Sequence, residues 1–202
     1  MATPVPGERT VALFGGSFNP PHMGHVLLCA YALGTRPVDA LWLVPAFRHA
    51  FGKVLAPFED RLEMCRLAAA LLGPRAVASD VEGKLGGESR TLVTLRHLRA
   101  AHPERRFVLL VGSDVLSERQ AWFGWEEIAA TTEVWAVRRA GAPPPDPGGV
   151  ATEPSIEIPD VSSTEVRRRL AADEPVGHLV PRTVLDYVRR RGLYRHHPAE
   201  NA

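Results

Sequence analysis

The sequence predicts an α/β protein on a doubly wound parallel sheet, and three observations carry that prediction. Short apolar runs alternate with longer helical patterns along the first two thirds of the chain. The runs are apolar throughout rather than alternately apolar and polar, as strands buried on both faces are. The helical patterns between them are long enough to serve as right-handed crossovers.

The first run, Thr10 to Phe14, reads as a strand that ends at Gly15-Gly16. A loop shaped by Asn19-Pro20-Pro21 follows, then a helical pattern from His22 to Leu33. Ala40 to Val44 reads as the second strand, and Pro57 to Leu72 as the next helix. That helix has Pro57 and Glu59-Asp60 at its start and Gly73-Pro74 at its end, matching helix punctuation. Ala76 to Ser79, Phe107 to Val111 and Glu133 to Val137 complete the predicted strands, with a helix over Thr91 to His102. In such sheets the ligand crevice lies at the carboxyl ends of the strands. The loops after Phe14, Val44 and Val111 are therefore expected around one site.

Composition narrows the class. A chain of 202 residues fits a single domain with a core that needs no staples. The expected core runs from about residue 10 to 194, with flexible tails over 1–7 and 196–202. A net charge of +1 gives no bulk attraction for nucleic acid. The triplets Arg167-Arg168-Arg169 and Arg189-Arg190-Arg191 spread around their helices instead of forming a basic face. Cys29 and Cys65 sit in apolar helical patterns, read as buried thiols, and point to a reducing cytoplasm. No apolar run is long enough to span a membrane, and Met1 to Gly7 lacks the pattern of a signal peptide. Gly141 to Gly149, rich in proline and glycine, reads as a surface loop. Among 24 basic residues only Lys53 and Lys84 are lysines, the mark of a GC-rich genome.

The segment Gly15-Gly16-Ser17-Phe18-Asn19-Pro20-Pro21-His22-Met23-Gly24-His25 carries the strongest chemical signal. Paired glycines let a backbone approach a ligand, since no Cβ intrudes. A helix start offers unpaired N–H groups and the positive end of its dipole to phosphate. His22 and His25, three apart, share one helix face and can both donate to phosphate oxygens. Gly24 between them disfavours the helix by about 1 kcal/mol against alanine, which a ligand lying on the backbone would explain. A glycine-rich turn alone is common. The joint occurrence of two glycines, a hydroxyl, Asn-Pro-Pro and His-x-Gly-His points to a nucleotide triphosphate.

Gly16 to His25 closely resembles the signature of the (T/H)xGH nucleotidyltransferase superfamily. Val161-Ser162-Ser163-Thr164-Glu165-Val166-Arg167 resembles that superfamily's second nucleotide motif, at a late helix start. The ending, Leu179-Val180-Pro181 through Val188 to Arg191-Gly192-Leu193-Tyr194, adds a third match. From about Thr10 to Tyr194 the chain is similar to the bacterial nicotinate mononucleotide adenylyltransferases. The resemblance implies a Rossmann-like sheet with a small C-terminal helical part. It implies attack of a mononucleotide phosphate on the α-phosphorus of ATP, with ATP and a pyridine mononucleotide as substrates and Mg2+ accompanying ATP. Homo-oligomerisation stays open. No carboxylate cluster marks a metal site built by the protein itself.

Carried over residue by residue, the resemblance assigns catalysis to His22, His25 and Arg167. ATP falls to Gly15, Gly16, Ser17 and Phe18, to Gly112 and Asp114, to Arg139, and to Ser162, Ser163 and Thr164. The acceptor falls to Thr91 and Trp122, and, on their own chemistry rather than the family's, to Arg90 and Lys53. Read on their own, Ser113-Asp114 equally make a helix cap, Trp122 a core residue, and Arg138-Arg139 a solvated pair. Two departures bear on the acceptor. Ser89-Arg90-Thr91 stands where the family usually has Ser-Tyr-Thr, and Arg90 either pairs with an anion or is solvated. The loop from Pro45 to Lys53 also differs, with Phe47, His49, Phe51 and Lys53 available to rebuild the pocket. Nicotinamide mononucleotide, another phosphorylated acceptor, and a nucleotide-sensing module without turnover are the alternatives. A dinucleotide oxidoreductase and a Walker-type ATPase are disfavoured, since neither Gly-x-Gly-x-x-Gly after a strand nor Gly-Lys-Ser/Thr occurs.

Overall fold

The computed structural model describes residues 9–48, 54–116, 119–138, 140 and 157–195. The expected tails, the proline- and glycine-rich excursion, and His49, Phe51, Lys53 and Arg139 lie outside the described residues.

The stretch Arg9–Gly16 (β1), apolar from Val11 to Phe14, forms the centre of a parallel sheet of five strands. The others are Ala40–Pro45 (β2), Ala76–Ala78 (β3), Arg105–Gly112 (β4) and Val134–Val137 (β5). Their order is β3-β2-β1-β4-β5. All four pairings are parallel, with Phe14 opposite Leu43 on one side and Leu110 on the other. The chain winds outward from β1 to β3, then crosses back to β4 beside β1. That reversal opens a crevice at the carboxyl ends of β1 and β4. Observed strands match the expected ones within about two residues, with β1 and β4 running further at their ends.

Pleating sends alternate residues to opposite faces. Ala12, Phe14, Leu41, Leu43, Val108 and Leu110 pack on one face with Leu28, Cys29 and Ala32 of helix α1 (Met23–Thr35) and Cys65 and Ala69 of α2 (Phe58–Ala70). Val11, Leu13, Phe107, Leu109 and Val111 pack on the other. There they meet Leu92, Leu95 and Leu98 of α4 (Thr91–Ala101) and Ile128 of α6 (Trp125–Thr131). The short helices α3 (Val81–Leu85) and α5 (Ser113–Leu116) fill the connections. A third cluster joins α7 (Ser163–Ala171) and α8 (Arg182–Arg191) to α1 and α2 through Val166, Val184, Val188, Val26 and Met64. This is the C-terminal helical part.

Cys29 and Cys65 are free, buried thiols, and burial raises the pKa of each. Among the described residues no helix is long and apolar enough to cross a membrane.

Candidate active site

The carboxyl ends of β1, β2 and β4 open into a cavity of about 890 Å³. That lies in the upper part of the usual range for small-molecule sites. Its wall brings together Gly15, Gly16, Ser17, His22 and His25 with Ser162, Ser163, Thr164 and Arg167. Gly112, Arg90, Thr91 and Trp122 line it too. Residues far apart in sequence, 15–25, 90–91 and 162–167, thus meet in one space.

The loop between β1 and α1 is held from many sides. Arg167 Nη1 donates to the Asn19 carbonyl at 2.8 Å, and Ser163 Oγ donates to the Pro20 carbonyl at 2.9 Å. Asn19 is buried, and its Oδ1 accepts from the Ala56 N–H at 3.0 Å and the Tyr194 hydroxyl at 2.8 Å. Arg61, only 1% exposed, donates to the carbonyls of Ser17, Ala46, Phe47 and Ala56. Burial lowers its pKa, but the ordinary arginine value lies so high that the guanidinium stays charged. Of the hydroxyls at the α7 start, that of Ser163 is thus a latch on the loop, while Ser162 Oγ caps the helix by accepting from the Glu165 N–H and Thr164 Oγ1 accepts from Arg167.

His22 is the N-cap of α1, and the first turn of that helix carries no acidic residue. The positive helix end therefore faces the cavity without a carboxylate to offset it. The His22 and His25 rings stack, centroids 3.7 Å apart and planes at 25°. His25 Nδ1 accepts the His22 backbone N–H at 3.1 Å, which places the proton of the neutral ring on Nε2.

Gly24 lines the cavity, where the expected ligand contact would lie, and the structure adds a second reason for the glycine. A Cβ there would sit 3.1 Å from Cε1 and Nδ1 of His22, so the glycine makes room for the protein's own imidazole. Around Gly15, by contrast, a Cβ would meet nothing within 4 Å, which leaves that backbone open to a ligand. Phe18 contributes no side chain to the cavity wall. Its side chain is fully buried, edge-on to Phe14 at 5.4 Å and to His25 at 4.9 Å, so only its backbone is available to ATP. Its φ of 45° is a left-handed value that disfavours an aromatic residue by about 1–3 kcal/mol. The ring it places beneath His25 is what that conformation achieves.

At the other end, Arg90 lies over the Phe123 ring, 4.8 Å from its centroid, and pairs with Glu88 at 2.8 Å. Trp122 packs edge-on against Trp125 at 5.8 Å and still lines the cavity. Phe47 does not reach the cavity wall; its ring packs on Phe58 at 5.3 Å. Asp114 lies in α5, just past Gly112 at the end of β4.

Several cavity residues escaped the sequence reading: Phe123, Glu82 and, behind the wall, Arg61. Glu82 is buried, and its Oε1 accepts the Thr94 hydroxyl at 2.5 Å. Among the described wall residues it is the single carboxylate, against Arg90, Arg138 and Arg167. The net sign suits anionic ligands. Among the described residues no group of three or more His, Cys, Asp or Glu is placed to hold a metal ion.

Comparison with known proteins gives the chain's family and fold. The model of the cytidylyltransferase-like family matches residues 13–169. A relative from Anaeromyxobacter sp. (strain K), named "Probable nicotinate-nucleotide adenylyltransferase", is 49% identical, over 94% of this chain and 98% of its own. One of the same name from Myxococcus xanthus (strain DK1622) is 39% identical, over 91% and 94%. The fold matches that of the Plasmodium falciparum nicotinic acid mononucleotide adenylyltransferase complexed with NaAD. That match has a TM-score of 0.79 at 19% identity and covers 93% of this chain and 98% of the other. The chain belongs to the cytidylyltransferase-like family and, within it, to the nicotinate-nucleotide adenylyltransferases.

Proposed function

We infer that the protein transfers the adenylyl group of ATP to nicotinate mononucleotide, giving nicotinate adenine dinucleotide and pyrophosphate. The observation that carries this reading is the single cavity that joins the Gly15–His25 turn and the α7 start to the Arg90–Trp122 end. A mononucleotide phosphate oxygen attacks the α-phosphorus, a P–O–P bond forms, and the bond to the β-phosphate breaks. The nucleophile is already an anion, so no strong base is required. What the protein supplies is alignment of two repelling phosphates and donors for the charge that builds.

In this reading the backbone at Gly15–Phe18, the Nε2–H of His25 and the Arg167 guanidinium take the triphosphate. His22 orients His25 by stacking and through its N–H. Gly112 and Asp114 border the nucleotides, and Arg139 belongs to the ATP side. ATP enters as its magnesium complex, the metal being part of the substrate. Arg90, Thr91, Trp122 and Lys53 take the acceptor, with Arg90 offering a cation to the nicotinate carboxylate. Phe123 holds that cation by its ring face, in place of the family tyrosine. The two buried free thiols suit a reducing cytoplasm.

The test compares nicotinate and nicotinamide mononucleotides in wild type and Arg90→Ala. Loss of a charge-assisted hydrogen bond is worth about 1.5–3 kcal/mol, so the preference for nicotinate is about ten- to a hundredfold. Arg90→Ala should remove most of it. Equal kcat/KM for the two acceptors in wild type would refute the nicotinate assignment. A preference that survives Arg90→Ala would remove Arg90 from its explanation.

A further inference from the structure

Arg61 lies in the first turn of α2, one residue after Asp60, yet the two side chains part company. Asp60 Oδ1 accepts from Tyr187 and Arg191 of α8. Arg61 turns the other way, under the cavity. Its Nε donates to the Ala56 carbonyl at 2.9 Å and its Nη2 to the Phe47 carbonyl at 3.1 Å. Its Nη1 reaches two carbonyls, Ser17 at 3.0 Å and Ala46 at 2.6 Å. The Phe58 ring lies 5.6 Å from the guanidinium. One planar fork thus fastens three separate segments: the β1–α1 loop, the loop after β2 and the entry to α2.

These bonds aim more than carbonyls. A peptide is planar and trans, so a carbonyl drawn toward Arg61 turns the following N–H away from it. The N–H groups so directed belong to Phe18, Phe47 and Arg48. That of Phe47 ends on Ser89 Oγ at 2.7 Å, next to Arg90 at the acceptor end. Ser17 and Ala46 both border the cavity.

We propose that Arg61 is a positioning residue for adenylyl transfer. Its buried guanidinium fixes the phosphate-side loop at Ser17 and the acceptor-side loop at Ala46–Phe47 in one register, before either substrate binds. This rests on the adenylyl-transfer reading of the cavity. A lysine would keep the charge but not the function, because one compact ammonium cannot span four carbonyls on three segments.

The experiment makes Arg61→Lys and Arg61→Met in the full chain and compares them with wild type. Expected for folded Arg61→Lys is a kcat at least tenfold lower, with KM raised for both ATP and the mononucleotide. Hydrogen exchange should quicken over residues 15–21 and 44–48 while the inner strands stay protected. A merely structural role would lower Tm and leave these readouts alone. Folded Arg61→Lys with kcat and both KM values within twofold of wild type, and loops protected as before, overturns the proposal. If neither variant folds, wild-type exchange decides. Protection of both loops without substrate supports the proposal, and free exchange there until substrates are added overturns it. A wild type that releases no pyrophosphate with any acceptor would count against adenylyl transfer itself, while loop exchange would still judge Arg61.

Discussion

Gly24→Ala separates the geometry of the two histidines from the stability of their helix. Inside a helix, alanine is favoured over glycine by about 1 kcal/mol. Here the new Cβ would stand 3.1 Å from two atoms of the His22 ring, tighter than nine in ten real Cβ contacts. The ring must give by a few tenths of an ångström. His22 is 2% exposed and stacked 3.7 Å from His25, so the shift passes to the His25 ring. The propensity gain and the contact penalty nearly offset, and Tm should stay within about 2–4 °C of wild type, the shift that 1 kcal/mol gives at this size. Activity should not stay. A misplacement of about 1 Å is worth about a hundredfold, so a few tenths should lower kcat about tenfold, or about 1.4 kcal/mol of barrier. The assay is pyrophosphate release at saturating ATP and acceptor, beside a thermal melt of the same sample. A Gly24→Ala protein with wild-type kcat and wild-type Tm would show that the stacked pair need not be held as observed.

His25→Ala should leave the fold intact and lower turnover by about 10²–10³, the usual worth of about 3–4 kcal/mol for one donor to developing charge. Near-normal turnover in the folded variant would remove His25 from catalysis. Arg167→Ala should raise KM for ATP far more than KM for the acceptor, since it also frees the Asn19 carbonyl; Arg168→Ala, whose partners are Glu165 and Glu174, is the control. Equal losses in the two variants would contradict the assignment. Arg168 and Arg169 hold the Glu165 carboxyl down to about 2, from an ordinary 4.5. A depressed acid stabilises above its unfolded value and loses that contribution as pH falls through its folded one. Glu165→Gln should therefore melt below wild type at neutral pH, with the gap closing between about pH 4.5 and 2; a gap constant over that window would refute the linkage.

Much of this was legible in the sequence because local rules and the fold agree. The first strand, its glycine turn and α1 carry propensity, punctuation and chemistry in one run of residues. The three clusters of apolar side chains follow from continuous strands and helical spacing. The short helices α3 and α6 are not legible in the sequence and α5 shows only as a possible cap at Ser113-Asp114, since a helix of seven residues or fewer has too little periodicity to register. Arg61 was invisible for a different reason. In sequence it is one more arginine in an amphipathic helix, and only the packing of α2 under two distant loops buries it. Glu82 hides likewise in a five-residue helix. Phe18 lies inside the strongest motif, but the left-handed backbone that turns its ring into the core is not visible in the motif. Gly24 shows the same limit: it lines the cavity, but the histidine ring beside its missing Cβ is not visible in the sequence.

The most direct test of the account is product analysis with the wild-type protein, magnesium and ATP or CTP, offering nicotinate or nicotinamide mononucleotide as acceptor. Nicotinate adenine dinucleotide and pyrophosphate should form in equal amounts from ATP and the nicotinate form. The kcat/KM should be about ten- to a hundredfold lower for the nicotinamide form. Equal use of both acceptors, a preference for CTP, or ATP binding without pyrophosphate release would contradict the account.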